Sequence, residues 1–348
     1  MSGEKISVII PCYNVKDMVS ECLDSIVAQT IGLEHLEIIL IDDASADETV
    51  SVLKKYEEKY PDNIMLVLCE KNGRQGTARN IGLSYATGDF ISFVDSDDWI
   101  HPDMYKVLVD IMNKNECDVV QFRYMETKDK PEEMSRAIDN IDYKIVDYSC
   151  NRKEKLLNSQ ILNESCTTKL YRKSLIDCAN VRYAEGVAYE EPMFTYPMKF
   201  YVNKVAVTET KLYYYRYNEK GTMLSYMNNP STMVQHLQVQ LNVYLTMLQS
   251  DFFNEYKDEI DLYFIHSFYA ETFYFMAGRG MPMLAVMLRY MAKTVKEYVP
   301  DYRNNPYIGL PGVKEEMKSL ELIDKLNLTD KELEYCASEY MKLSLIHI

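Results

Sequence analysis

The run Ile91-Ser92-Phe93-Val94-Asp95-Ser96-Asp97-Asp98 joins an apolar segment of strand length directly to three carboxylates within four residues. Side chains alternate along a strand, so just past its end Asp95 and Asp97 can point the same way. Such carboxylates repel unless a cation joins them. Two oxygen ligands with open positions suit Mg²⁺ or Mn²⁺, whose shell is then completed by waters and by the phosphates of an anionic ligand. A plainer reading stands beside this one: a solvated turn capping the next helix, with Asp98 near that helix's N-terminus and Pro102 in its first positions.

Moving outward, the strand-like runs Ile6 to Ile10, Leu36 to Ile41, Ile64 to Cys69 and Phe90 to Val94 alternate with helical patterns. That alternation is the signature of a parallel sheet covered on both faces. The first helix carries Val15, Val19, Leu23, Ile26 and Val27 at helical spacing. Ser45 and Glu48 form a capping box for the second, ahead of Val50, Leu53 and Tyr56. Ligands of open parallel sheets bind beyond the carboxyl ends of the strands, and polar residues gather there: Pro11-Cys12-Tyr13-Asn14, Asp42-Asp43-Ala44-Ser45, Asn72-Gly73-Arg74-Gln75-Gly76 and the acidic triplet. Four such ends in succession exceed what turn chemistry alone requires.

The 348 residues and 47% hydrophobic content suit about two domains with a substantial core. A net charge of -15, from 53 acidic against 38 basic residues, disfavours nonspecific nucleic-acid binding and broad attraction to anionic lipid. The eight cysteines show no C-x-x-C spacing and no nearby His, so reduced, mostly buried thiols are expected. No charged and apolar leader precedes Ile6, which makes the cytoplasm the default. The longest segment without Asp, Glu, Lys or Arg, Gly221 to Ser250, is too polar for a membrane span.

After a strand-like Asp118 to Tyr124, the charged stretch Thr127 to Lys155 reads as a surface excursion. Helical Lys173 to Ala179, helical Glu191 to Phe200 and strand-like Leu212 to Tyr217 follow, and from Pro230 onward only helices are expected. Val234, Leu237, Leu241, Tyr244, Leu245 and Leu248 share one helix face; Leu284, Met287, Leu288, Met291, Val295 and Tyr298 share another. The closing Leu343-Ser344-Leu345-Ile346-His347-Ile348 can be encoded by the end of a common sequencing adapter, so the natural C-terminus is expected to lie elsewhere.

The segments Ile6 to Asn14, Ile41 to Asp47, Ala78-Arg79-Asn80-Ile81-Gly82-Leu83 and Phe93 to Asp98 resemble, in order and spacing, the family 2 glycosyltransferases with the GT-A fold. The resemblance is close over roughly the first 125 residues and weaker to about Asn218. It implies an α/β fold with a mostly parallel, Rossmann-like sheet. Its domains would be a GT-A domain over 1–225, split into a nucleotide-sugar half (1–125) and an acceptor-side half (126–225), and a helical region over 226–348. It further implies that Pro11, Tyr13 and Asp43 form the base pocket, with Asp43 accepting from the uracil N3–H. Gly76 would let the backbone approach the phosphates and Arg79 would face them. Asp95 would touch the ribose, with Ser96 in the same turn, and Asp97 with Asp95 would hold the metal, supported by Asp98. Asp42 reads equally as a turn residue.

In this family the catalytic base commonly lies in a Glu-Asp pair opening a helix, and the matching place here is Tyr189-Glu190-Glu191-Pro192. The resemblance makes Glu191 the base and Glu190 its neighbour, orienting the acceptor or raising the base's pKa. Both glutamates also suit a helix N-terminus. Leu212-Tyr213-Tyr214-Tyr215-Arg216-Tyr217 and Gly221-Thr222 resemble the family's tyrosine-rich strand and following loop, where Arg216 or Lys220 would clamp the diphosphate. Trp99 would wall the donor sugar or anchor the core, and His101 would approach the metal or serve structure.

The implied activity is inverting, metal-dependent transfer of a sugar from a nucleotide sugar, UDP-linked, to a glycan or lipid-linked acceptor in cell-surface polysaccharide synthesis. The helical region would shape the acceptor side, associate subunits into a homo-oligomer, or rest peripherally on the inner face of the membrane through Arg279, Arg289, Lys293, Lys296 and Arg303, whose plainer role is a solvated helix face. A sugar nucleotidyltransferase would want a glycine-rich basic loop after the first strand, and a dinucleotide dehydrogenase a G-x-G-x-x-G; neither is present. The non-enzymatic alternative is an inactive nucleotide-sugar-binding scaffold of a glycan assembly complex.

Overall fold

The computed structural model describes residues 3–344 apart from 136, 139–140, 159–160, 219–228, 279 and 311–312. The chain divides into two compact units, Met1–Gly221 and Thr222–Ile348. The expected boundary at 225/226 lies outside the described residues, as do Lys220, Gly221, Thr222, Arg279 and the closing residues 345–348.

The first unit is built on a sheet in the order β3-β2-β1-β4-β8-β6-β9-β5, with β7 also paired to β9. Strands β1 (Ile6–Cys12), β2 (Leu36–Asp42), β3 (Ile64–Leu68) and β4 (Phe90–Phe93) are parallel. They are the apolar runs read from the sequence. The side chains of β1 alternate between two cores: Ile6, Val8, Ile10 and Cys12 pack on one face of the sheet and Ile9 on the other. A strand buried on both faces needs a continuous apolar run rather than an alternating one, which is what Ile-Ser-Val-Ile-Ile provides.

Helices α1 (Val19–Val27), α2 (Thr49–Lys59) and α4 (Met104–Asn115) add side chains to the first core, and α3 (Arg74–Tyr85) to the second. Gly82 brings α3 onto β1, because a Cβ there would stand 2.3 Å from Ile9 Cγ2. The expected capping box is absent. Helix α2 opens at Thr49 rather than after Ser45, because the Ser45 hydroxyl accepts from Asn14 N–H (3.0 Å) and Glu48 pairs with Lys16.

Beyond β4 the sheet is mixed rather than mostly parallel. Strand β5 (Trp99–Ile100) is antiparallel to β9 (Lys204–Arg216), and β8 (Lys169–Arg172) is antiparallel to both β4 and β6 (Val119–Thr127). The charged stretch expected as an excursion returns to the sheet as β7 (Lys144–Asp147), antiparallel to β9, and its Met134 is buried with Trp99 and Tyr214. Three further helices complete the unit: α5 (Arg152–Leu157), α6 (Lys173–Ala179) and α7 (Pro192–Met198).

The second unit is helical throughout its described residues: α8 (Pro230–Leu248), α9 (Lys257–Phe264) continuing through a π-helical turn into α10 (Glu271–Gly278), α11 (Ala285–Tyr298), α12 (Val313–Glu316) and α13 (Asp330–Ser344), with 3₁₀ turns between. The buried face of α8 overlaps the expected one only in part, at Leu237 and Tyr244. Met233, His236, Leu237, Val239, Gln240, Val243, Tyr244 and Met247 face inward, whereas Val234 is 64% exposed. His236 contacts the Ser267 carbonyl and Gln240 accepts from Tyr263, so two polar residues are satisfied inside. Arg289, Lys296 and Arg303 also act within the unit, on the Leu328 and Ile323 carbonyls and on Asp330 and Asp324. Among the described residues no helix is long and apolar enough to cross a membrane. None of the eight cysteines is paired; four are buried, and Cys150 and Cys178 are exposed.

Candidate active site

The crevice opens where β1 and β4 part. The last ladder bond between them runs from Val94 N–H to the Ile9 carbonyl (3.1 Å), and the next would need an N–H at Pro11, which has none. Past this stop Tyr13 is 48% exposed, a ring available to a ligand, while Pro11 is buried. The loops around the crevice are laced through backbone groups: Ala46 N–H donates to Asn14 Oδ1 (2.8 Å) and Ser45 N–H to Asp42 (3.0 Å). The other Asp42 oxygen is buried without a protein partner.

Asp43 accepts from the N–H groups of Gly73 (2.7 Å) and Arg74 (2.8 Å) at the start of α3. Burial pushes its carboxyl up, and those two N–H groups hold it back. Four non-glycine residues in these loops, Asn14, Ala44, Arg74 and Tyr189, have left-handed φ of 53°, 60°, 66° and 60°. Sparsely populated conformations of this kind gather at functional sites.

The acidic triplet divides its labour. Asp98, fully buried, accepts from Tyr213 Oη (2.6 Å) and Arg216 N–H (2.8 Å), and the same Tyr213 oxygen accepts from Asp95 N–H (3.1 Å). It precedes β5, so it caps no helix. The Asp97 carboxylate accepts no hydrogen bond from another of the described residues. Burial, and then the charge of Asp95, push its carboxyl up to about 6. Ser96 between them is buried. The donor set of Asp95 and Asp97 fits a divalent cation that shares phosphate oxygens, although among the described residues no group of three metal-ligating side chains forms a complete protein site.

Arg79 links the strand-end turn to the glutamate loop. It is 2% exposed and its guanidinium is committed to Asp95 (2.9 Å) and Glu190 (2.6 Å), with Tyr183 packed on its face. It joins two carboxylates, and its Nε is buried without a protein partner. At Gly76 a Cβ would meet the Ala184 carbonyl at 2.2 Å and Glu190 at 2.9 Å. The glycine lets α3 approach the loop that carries the glutamates.

Glu190 is buried, and burial pushes its carboxyl up while Arg79 opposes and Glu191 adds to the rise. Glu191 stands at the start of α7 ahead of Pro192 and accepts from Cys166 N–H (3.0 Å). Arg216 lies over Trp99 at 3.9 Å and donates to the Asp97 carbonyl (2.8 Å) and Glu21 (2.6 Å). Trp99 is therefore the buried anchor, donating to Glu21 (3.1 Å). His101 is likewise buried, its ring accepting from Asp103 N–H.

Glu21, Tyr183 and Cys166 went unread in the sequence. Glu21 sits on the polar side of α1, and only the need of Arg216 for an anion would have pointed to it.

The chain as a whole matches a known family. Residues 7–179 fit the profile described as glycosyl transferase family 2, and the chain is 30% identical over 267 residues to the uncharacterized glycosyltransferase YibD of Escherichia coli, covering 75% of each chain. The chain belongs to glycosyl transferase family 2. Its class is that of a glycosyltransferase and its fold is GT-A. The chain is also 30% identical over 224 residues to the poly(ribitol-phosphate) beta-glucosyltransferase of Bacillus spizizenii, an overlap of 64% of this chain and 33% of that one. It thus spans about a third to under a half of the poly(ribitol-phosphate) glycosyltransferases it matches. Among solved structures, Staphylococcus aureus TarS 1–349 in complex with UDP-GlcNAc superposes with a TM-score of 0.64 at 22% identity, covering 92% of this chain and 90% of that one.

Proposed function

We propose that this family 2 protein is an inverting, metal-dependent glycosyltransferase. It takes a sugar from a UDP-sugar and places it on a hydroxyl of a cell-surface glycan or lipid-linked acceptor, of the polyol-phosphate kind named for its relatives, working at the cytoplasmic face of the membrane. The observation that carries the reading is Arg79, whose single guanidinium contacts Asp95 of the strand-end turn and Glu190 of the α7 entrance, 111 residues away from it in sequence. Donor-side and acceptor-side carboxylates thereby share one crevice.

Tyr13 offers a face to the base, and Asp43, whose oxygens retain lone pairs beyond the two backbone bonds, accepts from a ring N–H. Asp97 with Asp95 would hold Mn²⁺ or Mg²⁺, which supplies positive charge against the departing nucleotide diphosphate. Glu191 takes the proton from the acceptor hydroxyl as that oxygen attacks the anomeric carbon from the side opposite the diphosphate, so configuration inverts. Glu190, held by Arg79, orients the acceptor beside it. Removing the base costs ~10²- to 10⁴-fold in rate.

The test is UDP release from a panel of UDP-sugars, with and without Mn²⁺, for the wild type and Asp97→Ala. Release from one donor that needs both metal and Asp97 supports the transferase. Metal-dependent UDP binding with no release, even with a poly(ribitol-phosphate) acceptor present, favours the scaffold, and absence of UDP binding breaks the reading.

A further inference from the structure

Lys169 opens β8 with 1% of its surface exposed. Its ammonium donates to Asn163 Oδ1 (2.5 Å) and to the Ser165 carbonyl. Both acceptors belong to the turn 163–166, and the next backbone donor, Cys166 N–H, is the one that reaches the Glu191 carboxylate. A chain of contacts thus runs from a buried cation through a turn to one N–H and on to Glu191. Tyr171, two residues along β8 and so on the same face, keeps its hydroxyl buried without a protein partner within electrostatic reach of Glu191.

We propose that Lys169 is a positioning residue for Glu191: it holds the 163–166 turn so that Cys166 N–H fixes the direction of the carboxylate. The inference rests on the reading of Glu191 as the base. The two hydrogen bonds from Lys169 pin the turn at Asn163 and Ser165, and while the lysine is protonated its charge strengthens them, since a charged donor binds a carbonyl about twice as strongly as a neutral one. Keeping that charge inside has a cost. Burial pushes the ammonium down to about 7, with Lys199 adding to the fall while Cys166, Glu191 and Glu164 oppose it. Lys155 is equally buried but donates to the Val202 carbonyl, away from the glutamates, and serves as the contrast.

Two readouts test the tether in the full chain: steady-state UDP release with Mn²⁺ from the donor that the wild type uses, and hydrogen exchange of peptides spanning 163–167. The variants are Lys169→Met, Asn163→Ala, Lys155→Met and Glu191→Gln. Misplacing a reacting group by an ångström costs ~10²-fold, so Lys169→Met is expected to lose about that much kcat with the donor KM unchanged. Asn163→Ala should lose less, in the same direction. Exchange over 163–167 should quicken in both, and stay slow in Glu191→Gln although turnover is lost.

Asn163 is only half-buried, so its variant stands in if Lys169→Met fails to fold. Wild-type kcat and exchange in Asn163→Ala and Lys169→Met overturn the proposal, as does an equal kcat loss in Lys155→Met. Retained turnover in Glu191→Gln overturns the base reading instead, and the inference with it. Exchange needs no donor, so an unaltered 163–167 overturns the tether even where no UDP is released.

Discussion

Strands β1 to β4 and the part of the first unit beyond residue 118 solve the same problem differently. In the first region the core positions of β1 and of β2 up to Ile41 are apolar or a small hydroxyl, and the buried carboxylates at the strand ends are met by backbone N–H groups: Ser45 for one oxygen of Asp42, Gly73 and Arg74 for Asp43. In the second, charges are taken inside. Lys155, Lys169, Lys199 and Glu190 are all buried, and Glu190 depends on Arg79 reaching across from α3. Apolar burial is tolerant because it spreads over many contacts, whereas a buried charge depends on one or two partners. The first region should therefore bend under mutation and the second should break.

The sharpest way to break that contrast is Arg79→Met. Leaving Glu190 buried and unpaired should cost ~3–5 kcal/mol of stability. Denaturant unfolding followed by Trp99 fluorescence, the only tryptophan, reads it from within the first unit. An unchanged midpoint would mean that water compensates Glu190.

Next comes pH. Burial holds Lys155 and Lys169 down to about 7 and Lys199 to about 8, against 10.5 for a free lysine. The folded state binds fewer protons than the unfolded one through this window. Stability should therefore rise between pH 7 and 8.5, by up to ~1.4 kcal/mol per pH unit for each lysine, and be lost as pH falls through 8 to 7. Above 9 the buried thiols Cys12, Cys22 and Cys166, all pushed up by burial, oppose the rise. Lys155→Met should flatten the slope, and a slope that survives it intact would remove that lysine from the account.

Tyr213→Phe takes one donor from the fully buried Asp98 and an acceptor from Asp95 N–H, for about 1–3 kcal/mol by the same fluorescence measurement. In the first region, Ile39→Val in the second core should cost only ~0.5–1.5 kcal/mol. A loss there as large as that of Arg79→Met would erase the contrast.

The first region was legible because its signals are local. The expected strand Ile64 to Cys69 is Ile64–Leu68, and Phe90 to Val94 is Phe90–Phe93. The failures have physical causes. A strand of two residues, Trp99–Ile100, is indistinguishable from a turn until β9 pairs with it, and β8 opens on a buried lysine that no apolar pattern reveals. In α8 the purely apolar stripe lost to one containing His236 and Gln240, because both found partners inside. At the site, nothing in the sequence signalled that Arg79 would contact the protein carboxylates Asp95 and Glu190. Sequence spacing gives no access to a contact spanning 111 residues.

The four left-handed residues around the crevice have a consequence for how such a site changes over time. An alanine or tyrosine in that conformation pays roughly 1–2 kcal/mol that a glycine would not. Glycine at Ala44 or Tyr189 would relieve the backbone and also unfasten it, giving a protein easier to fold with a looser mouth. Variation at this crevice is thus steered toward projecting side chains such as Tyr13, while the loops beneath them stay cast in one form.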